Sequence, residues 1–322
     1  MAETLDFEEP IAPLVKQLDD LIQLPRTDSA QREIDALRRK IDVARADVYA
    51  SLTPWQRVQV ARHPNRPGLE SFIGLLFEGF VEIHGDRRFA DDHAMITGFA
   101  EYKGQPVLVV GHVKGADTKD KIFRNFGYAR PEGYRKALRA MRLAEKFSRP
   151  VIVFIDTPAA YPGIESEERG VAEAIAVNLR EMMVLDTPVI VIVSGEGGSG
   201  GALGIAVGDA VLMQEYAIYS VIPPEGCAAI LWRDANKKVE ASAALKLTAP
   251  DLLKAGIIDH IIPEPIGGAH TDPNAAAELV ITALDKVLAE VSALDSETRL
   301  ARRYDKFRNM GRLGIDFVDE GG

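Results

Sequence analysis

The chain has 322 residues, of which 47% are hydrophobic and 27% charged, and its formal net charge at pH 7 is −10. This length is enough to bury a large core, and the composition is ordinary for a soluble globular protein. The acidic balance argues against a nucleic-acid binder. The single cysteine, Cys227, excludes an intramolecular disulfide framework and an all-cysteine metal site. The start of the chain has no apolar signal segment and the longest apolar runs are strand-sized, so we expect a cytoplasmic protein with no membrane span.

Basic residues are concentrated in one segment, 112–149, which has 11 Lys or Arg against four acidic residues. A local excess of positive charge inside an acidic protein predicts an anionic ligand or an acidic partner. The basic residues that we assign to this role directly follow a predicted core strand: Lys114, Lys119, Lys121 and Arg124. For the next group we favour a solvated helix face: Arg139, Arg142, Lys146 and Arg149.

The first part of the chain, 1–90, is predicted to be a helical region. Apolar residues such as Ile34, Leu37 and Ile41 repeat at helical spacing, and the segment 27–53 contains no Gly or Pro. The segment 64–68 interrupts this pattern, and a second helical stretch is predicted to end near 84. Because the region carries no recognisable chemistry, we interpret it as a packing or assembly element.

The core, 91–265, has the alternating pattern of an α/β protein, and 266–322 is predicted to be a C-terminal helical extension. Apolar strands such as VIVFI and VIVIV, each followed by a helix, are typical of a parallel sheet that is covered on both faces. The predicted elements are a β-hairpin (94–102 and 106–112), a helix (131–147), a strand (150–156), a helix (168–185), a strand (188–195), a short helix (201–207), a strand (210–221), a helix start near 223 and a long helix (274–294).

Two turns, TPAAYPG (157–163) and EGGSGG (196–201), follow consecutive strands of this sheet. Ligands of α/β folds bind at the carboxyl ends of the strands, and both turns lead into helix N-termini with free N–H groups. If the strands are neighbours, the two turns can direct backbone donors at one point, which is the geometry of an oxyanion hole. We place Gly201 at the first position of the short helix, where proline is tolerated.

The stretch GEGGSGG also fits two other motifs. Read as G-x-S-x-G, it makes Ser199 a nucleophile that needs a histidine, for which His260 and His270 are available. Read as G-x-G-x-x-G, it is a dinucleotide fingerprint, although the following helix is short for that motif. A glycine turn that serves only close packing is the remaining alternative. No Walker loop occurs in the sequence.

Four long segments resemble one family, in order: GHVKGADTKDKIFRNFGYARPEGYRKALR, FIDTPAAYPGIESEERG, VSGEGGSGGALGIAVGD and YSVIPPEGCAAILW. They are similar to the alpha subunit of the carboxyltransferase component of bacterial or plastid multi-subunit acetyl-CoA carboxylase. The resemblance runs from the N-terminal helices through IPEPIGGAH (262–270). It implies a crotonase-like fold, the β-β-α superhelix, with an N-terminal helical extension.

The resemblance also implies a reaction and its partners. Family enzymes transfer a carboxyl group from carboxybiotin, on a biotin carboxyl carrier protein, to acetyl-CoA, which gives malonyl-CoA for fatty-acid synthesis. They work as an alpha2beta2 assembly within a complex that includes biotin carboxylase, and the beta subunit carries zinc. By this resemblance the catalytic backbone donors are Gly200, Gly201 and Ala159, and the cofactor-binding residues are Gly197, Gly198, Tyr161 and Gly163. No metal ligand is implied on this chain, and Ser199 is a small spacer.

One residue departs from the family pattern. The family usually has DTPGAYPG where this chain has DTPAAYPG, so Ala159 stands in place of a glycine. Alanine keeps its N–H group, and the donor therefore remains if φ is negative. A positive φ would strain the alanine by about 1 kcal/mol or more.

Overall fold

The computed structural model describes residues 5–23, 25 and 27–311. The outer ends of the predicted N-terminal and C-terminal regions, 1–4 and 312–322, lie outside the described residues, as do positions 24 and 26.

The helices within the described ranges are α1 (Ala12–Ile22), α2 (Asp28–Tyr49), α3 (Pro54–Ala61), α4 (Leu69–Leu76), α5 (Thr118–Phe123), α6 (Pro131–Lys146), α7 (Ile164–Glu168), α8 (Val171–Met183), α9 (Ser199–Leu203), α10 (Pro224–Trp232), α11 (Lys238–Leu245), α12 (Ala249–Lys254), α13 (Pro273–Ser292) and α14 (Ser296–Asn309). The strands are β1 (Glu78–Glu82), β2 (Met95–Tyr102), β3 (Gln105–His112), β4 (Val151–Thr157), β5 (Val189–Gly198), β6 (Ala210–Gln214), β7 (Ile218–Ser220) and β8 (His260–Ile262).

The strands form one mixed sheet in the order β1-β2-β3-β4-β5-β6-β8, and β7 pairs with the end of β5. The first three strands are antiparallel, and the pairings from β3 onward are parallel. One row of valines crosses four adjacent strands in register: Val110, Val153, Val191 and Val211. These strands read as continuous apolar runs because helices cover both of their faces.

Two hydrophobic layers enclose the sheet. On one face, α6 and α8 pack against the strands, with Tyr134 and Met141 fully buried. On the other face, α4 and α13 pack together, and the ring of Phe72 stacks on Phe154 of β4 at 5.3 Å between centroids. Each layer closes one side of the parallel strands, whose carboxyl ends therefore open at one edge of the sheet.

The predicted hairpin is confirmed. β2 and β3 pair antiparallel from Met95 opposite His112 to Tyr102 opposite Gln105. Lys103 and Gly104 both have positive φ, 50° and 77°, which is the conformation of a two-residue turn that matches the strand twist. The predicted helix 131–147 and the predicted strands 150–156 and 188–195 are likewise present, within a few residues, as α6, β4 and β5.

Three local predictions are wrong. The second N-terminal helical stretch ends at Leu76, and the chain continues as edge strand β1, which pairs with β2 around a bulge at Gly79. The predicted strand 210–221 is broken into β6 and β7, which pair with different parts of β5. The short helix spans Ser199–Leu203 rather than 201–207, because β5 extends to Gly198. The boundaries 1–90, 91–265 and 266–322 stay predictions.

Candidate active site

The two glycine-rich turns lie in direct backbone contact at the carboxyl ends of β4 and β5. A side chain at Gly198 would overlap the carbonyl group of Pro158, and one at Gly201 would overlap the peptide between Ala159 and Ala160. Even the Cα atom of Ala159 lies only 2.9 Å from the position of a Cβ atom on Gly201. The two turns can meet only because both positions are glycine.

Helix α9 starts directly at this contact. Gly198 is its N-cap residue and makes no side-chain cap, so Gly200 and Gly201 are the second and third helical positions. Within the described residues, the amide of neither glycine donates to a backbone or side-chain acceptor. Gly201 is buried. The first amides of a helix have no acceptor within the helix, so both N–H groups are free to bind an acceptor from outside the chain.

The turn that contains Ala159 is fixed by its own hydrogen bonds. The hydroxyl of Thr157 lies 2.9 Å from the carbonyl oxygen of Ala159 and 2.7 Å from that of Gly127. The amide of Tyr161 donates to the carbonyl of Ala129 at 2.9 Å. Ala159 is not among the described non-glycine residues that have positive φ. The alanine therefore occupies the family's glycine position without left-handed strain, and it keeps its N–H group.

The predicted cofactor-binding residues lie on the same two turns. Gly197 pairs with Thr157 of β4, and a side chain on it would come within 2.7 Å of the ring of Tyr219. With Gly198 it lines a small cleft between Arg62 and the start of α10. On the other turn, Tyr161 lies under the guanidinium of Arg130, 4.9 Å from the ring centroid. Gly163 packs against the Tyr161 ring, where a Cβ atom has no room. The binding roles of these residues stay predictions.

An ion-pair network fixes the end of β5 before the glycines. Lys114 lies 2.7 Å from Asp156 and 2.6 Å from Glu196, and Arg62 pairs with Glu196 at 2.6 Å and with Glu225 at 2.7 Å. Burial acts to raise the pKa of Glu196, but the charges of Lys114 and Arg62 outweigh it and lower that pKa below its ordinary value. Burial likewise opposes the charge of Lys114, and its two carboxylate partners keep its pKa above the ordinary value. The buried charges are therefore paired.

An anion-binding role is predicted for some of four basic residues, and two of the four have carboxylate partners inside the protein. The ammonium of Lys114 is committed to its two carboxylates, and the guanidinium of Arg124 pairs with Glu70 at 2.7 Å and with Asp120 at 3.3 Å. Lys119 and Lys121 lie on α5 and have no carboxylate partner within the described ranges. For these two the role stays a prediction.

The solvated helix face is confirmed for two of its four residues, Arg142 and Lys146, whereas Arg149 is solvated but lies beyond the end of α6. The side chains of Arg142, Lys146 and Arg149 are exposed. Arg139 is half-buried, and it donates to the carbonyl groups of His84 and Gly85 instead.

Two residues near the glycines were missed by the sequence analysis. The hydroxyl of Tyr134, on the apolar face of α6, donates to the carbonyl of Gly201 at 3.1 Å. The imidazole of His112, at the end of β3, is buried beside the same carbonyl, although neither ring nitrogen has a hydrogen-bond partner of good geometry. Burial, chiefly, lowers the pKa of His112 to about 3, so its ring is neutral. Only the position of His112 after an apolar run could have suggested its burial.

The serine-nucleophile alternative finds no base in this geometry. Ser199 has a φ of 51°, a left-handed conformation like that of a strained nucleophile elbow. No histidine in the described part of the chain hydrogen bonds to its hydroxyl, however. His270 stacks on His63 at 3.9 Å between ring centroids, and His260 lies on strand β8.

The fold is crotonase-like, and two solved structures share it. The chain superimposes on transcarboxylase 12S with bound methylmalonyl-coenzyme A and methylmalonic acid, at a TM-score of 0.55 and 20% identity, over 69% of this chain but only 42% of that one. It also superimposes on a Pseudomonas malonate decarboxylase hetero-tetramer in complex with coenzyme A, at a TM-score of 0.55 and 19% identity, over 69% of this chain and 90% of that one. These similarities confirm the predicted fold class.

The particular family follows from the sequence comparisons. Residues 4–311 match the model of a family described as acetyl co-enzyme A carboxylase carboxyltransferase-like. The acetyl-coenzyme A carboxylase carboxyl transferase subunit alpha of Geobacter metallireducens is 53% identical over 96% of this chain and 98% of its own length. The protein of the same name from Phenylobacterium zucineum is 50% identical over 98% and 99%. The chain therefore belongs to the family of carboxyltransferase alpha subunits of acetyl-CoA carboxylase, which confirms the predicted family, function and enzyme class.

Proposed function

We propose that this chain, as a carboxyltransferase alpha subunit, transfers the carboxyl group of carboxybiotin to acetyl-CoA and so forms malonyl-CoA for fatty-acid synthesis. The observation that carries the proposal is the pair of unpaired amides at Gly200 and Gly201, held against the turn of Ala159. Such donors stabilise a developing oxyanion without any acidic or basic side chain. The family assignment gives the substrate class, and the two turns give the backbone N–H groups that we propose act on the substrate.

The residues of this chain fit the part of the reaction in which negative charge develops on an oxygen. Carboxybiotin would supply the carboxyl group when bound, as carbon dioxide, and the negative charge left on its ureido oxygen would be neutralised by the proton that the acetyl methyl group loses. The amides of Gly200, Gly201 and Ala159 are the donors we assign to this oxygen. Loss of one such donor in other enzymes costs about 2.7–4 kcal/mol, so a pair accounts for a large share of a rate enhancement.

The charged residues next to the turn position the donors and do not perform the chemistry. Lys114 joins Asp156, at the end of β4, to Glu196, near the end of β5. The amide of Glu196 donates to Asp156 at 2.9 Å, so the two strands are connected twice just before their turns. This fixed spacing lets the amides meet a charge without reorganisation.

The site opens beside an apolar surface, which supports a partner subunit as its cover. Pro223 and Pro224 line the cleft at Gly197 and Gly198, and the outer part of α10 beyond them exposes Ile230, Leu231 and Trp232. Exposed apolar patches of this kind mark interaction surfaces. We assign this surface to the beta subunit, in an alpha2beta2 assembly that works with the biotin carboxyl carrier protein and biotin carboxylase.

The relatives are named as alpha subunits, so they belong to multisubunit carboxylases. We assign zinc to the beta subunit; no cluster of three metal-binding side chains occurs in the described part of this chain. Within the described ranges, no helix is long and apolar enough to cross a membrane. A cytoplasmic location, or the stroma for a plastid form, is part of the same proposal.

The experiment is carboxyl transfer from malonyl-CoA to free biotin, the reverse reaction, measured with this chain alone, a partner beta chain alone, and the two together. We expect turnover only with both chains, and zinc only in preparations that contain the partner. Stoichiometric zinc on this chain, or full turnover by this chain alone, would contradict the division of labour. No turnover by a stable two-chain complex would contradict the proposed reaction.

A further inference from the structure

A cavity of about 720 Å³ lies away from the glycine turns, between the N-terminal helices and the loop that carries IPEPIGGAH. Its volume is within the range of small-molecule sites, about 300–1,000 Å³. Ile11, Ala12 and Val15 of α1 form an apolar wall, and Arg45, His63 and His270 form the opposite wall. Neither the family assignment nor the proposed function gives this cavity a role.

Two polar atoms of the residues that form this wall have no hydrogen-bond partner within the described residues. Nε of Arg45 and Nδ1 of His270 are both buried and without a hydrogen bond. Arg45 forms no ion pair within the described residues. Burial, together with the charges of His63, Arg66 and Arg45, lowers the pKa of His270 to about 3. The ring is therefore neutral, and Arg45 carries the positive charge of this wall.

The acidic residues of the cavity do not cancel this charge. Glu8 accepts hydrogen bonds from the hydroxyl of Tyr49 at 2.9 Å and from the amide of Leu5 at 3.1 Å, so its carboxylate is already occupied. Asp19 and Asp20 lie at the outer end of α1 and are exposed, like Lys16. The guanidinium of Arg45 therefore has no carboxylate partner within the described residues, and an anion that enters the cavity can supply one.

The sequence motif IPEPIGGAH is used to build this wall. Gly267 and Gly268 have positive φ, 86° and 91°, and a Cβ atom on them would come within 3.0 Å of Cδ of Arg45 and 3.1 Å of Nδ1 of His270. The two glycines therefore hold both polar groups against the loop. Glu264 of the same motif accepts from the amide of Ala269 at 2.7 Å and fixes the loop from behind.

The segment 62–66 connects the cavity with the glycine turns. His63 and Asn65 line the cavity, and the amide of Asn65 donates to Nδ1 of His63 at 3.2 Å. Their neighbours face the other way: Arg62 pairs with Glu196, and Arg66 donates to the carbonyl of Ser194 at 2.7 Å. Both Ser194 and Glu196 belong to β5, directly before the catalytic glycines.

We propose that this cavity binds a small organic anion with an apolar body, whose acidic oxygens accept from Arg45 and His270, and that its occupation changes turnover through the segment 62–66. The effect on turnover rests on the proposed carboxyl transfer, whereas the binding of the anion does not. Binding is therefore measured on the full-length chain and on its complex with the partner, separately from activity.

The probes are hexanoate, which combines a carboxylate with an apolar chain, inorganic phosphate, which has no apolar part, and hexanol, which has no charge. Titration calorimetry and thermal shift report binding, since a ligand that binds only the folded state raises the melting temperature. We expect one hexanoate per chain, weaker phosphate binding and no hexanol binding. Arg45→Gln should weaken hexanoate by about tenfold or more, because it removes a charged hydrogen-bond donor.

Arg39→Gln is the matched control, because Arg39 is exposed on the same helix outside the cavity, and it should bind hexanoate like the parent chain. Ala12→Phe fills the cavity from the apolar wall without changing charge and should also abolish binding, so it decides the question if Arg45→Gln does not fold. No hexanoate binding by the parent chain, or equal binding by all variants, overturns the site. Binding that leaves turnover of an active complex unchanged overturns the coupling.

Discussion

The contact between Gly201 and the Ala159 turn can be tested by adding one methyl group. In Gly201→Ala, the new Cβ atom would overlap the Ala159–Ala160 peptide, and it would lie 2.9 Å from Cα of Ala159, where ordinary contact begins at 3.4 Å. The nearest atoms, the carbonyl carbon of Ala159 and the nitrogen of Ala160, would lie at 2.3 Å, so the two turns must separate by roughly 1 Å. Overpacking of this kind costs about 1–3 kcal/mol, which a domain of ordinary stability tolerates.

The same displacement is expensive for catalysis, because a misplacement of about 1 Å can cost about a hundredfold in rate. We therefore expect Gly201→Ala to fold, to assemble with its partner and to turn over roughly a hundredfold more slowly. The matched control is Gly200→Ala, since a Cβ atom there meets only Cδ1 of Ile175 at 3.7 Å, an ordinary contact. Both variants keep their N–H groups, so the comparison isolates the position of the donors.

The assay is carboxyl transfer by the two-chain complex, with the melting temperature of each variant as the check on folding. Near-parent turnover in Gly201→Ala would refute the claim that the contact positions a donor. An equal loss in Gly200→Ala would show that the effect does not pass through the Ala159 turn. The sequence analysis places Gly201 at the first position of the short helix, where proline is tolerated, but Gly201→Pro is not a clean test. Gly201 is the third residue of α9, and a proline ring has no room there.

Three further predictions concern residues around the site. Ser199→Ala should retain most of the transfer activity, and a loss of more than about a hundredfold in a folded variant would instead indicate covalent serine chemistry. Reversing the charge of both Lys119 and Lys121 to Glu should raise the Michaelis constant for acetyl-CoA or carrier, or weaken assembly with the partner; unchanged kinetics and assembly would make them solvated surface residues. The pKa of His112 is about 3 in the folded chain and 6.5 in the unfolded chain. Between these values the unfolded chain binds one more proton than the folded chain, so the free energy of unfolding falls as the pH drops from 6.5 towards 3. His112→Leu should reduce this slope by up to roughly 1.4 kcal/mol per pH unit, measured by denaturant unfolding between about pH 6.5 and 5, and an unchanged slope would mean that the ring is not buried neutral.

The sequence predicts the sheet well because its signals are local. The apolar runs that form β4 and β5 are continuous and lack the spacing of an amphipathic helix. The two-residue turn at Lys103 and Gly104 fixes the register of the hairpin without help from the rest of the chain. The sequence analysis allows the two turns to meet if their strands are neighbours, and β4 and β5 do pair directly. The conformation of Ala159 could not be predicted, because its φ depends on how the neighbouring turn packs.

The surroundings of the site could not be predicted because they depend on tertiary register. Lys114 follows β3, whereas Asp156 and Glu196 lie near the ends of β4 and β5, and their sequence spacing does not show that one ammonium lies between two carboxylates. Lys114 was therefore assigned to an external anion, although its partners belong to the protein. The extension of β5 to Gly198 has a similar origin, because it needs the pairing with β7 that no local signal indicates.

The strain in the EGGSGG turn is concentrated at one residue that is held from both sides. Ser199 is left-handed, with a φ of 51°, and a non-glycine residue in that conformation costs of order 1–3 kcal/mol. Before it, the carboxylate of Glu196 is held by Lys114 and Arg62; after it, the carbonyl of Gly201 accepts from Tyr134. These fixed points offset the strain and hold the backbone of the turn on both sides of Ser199. Donors that do not have to reorganise are the ones that stabilise an oxyanion most, which explains why a turn made mainly of glycine can be rigid at the position where the chemistry needs it.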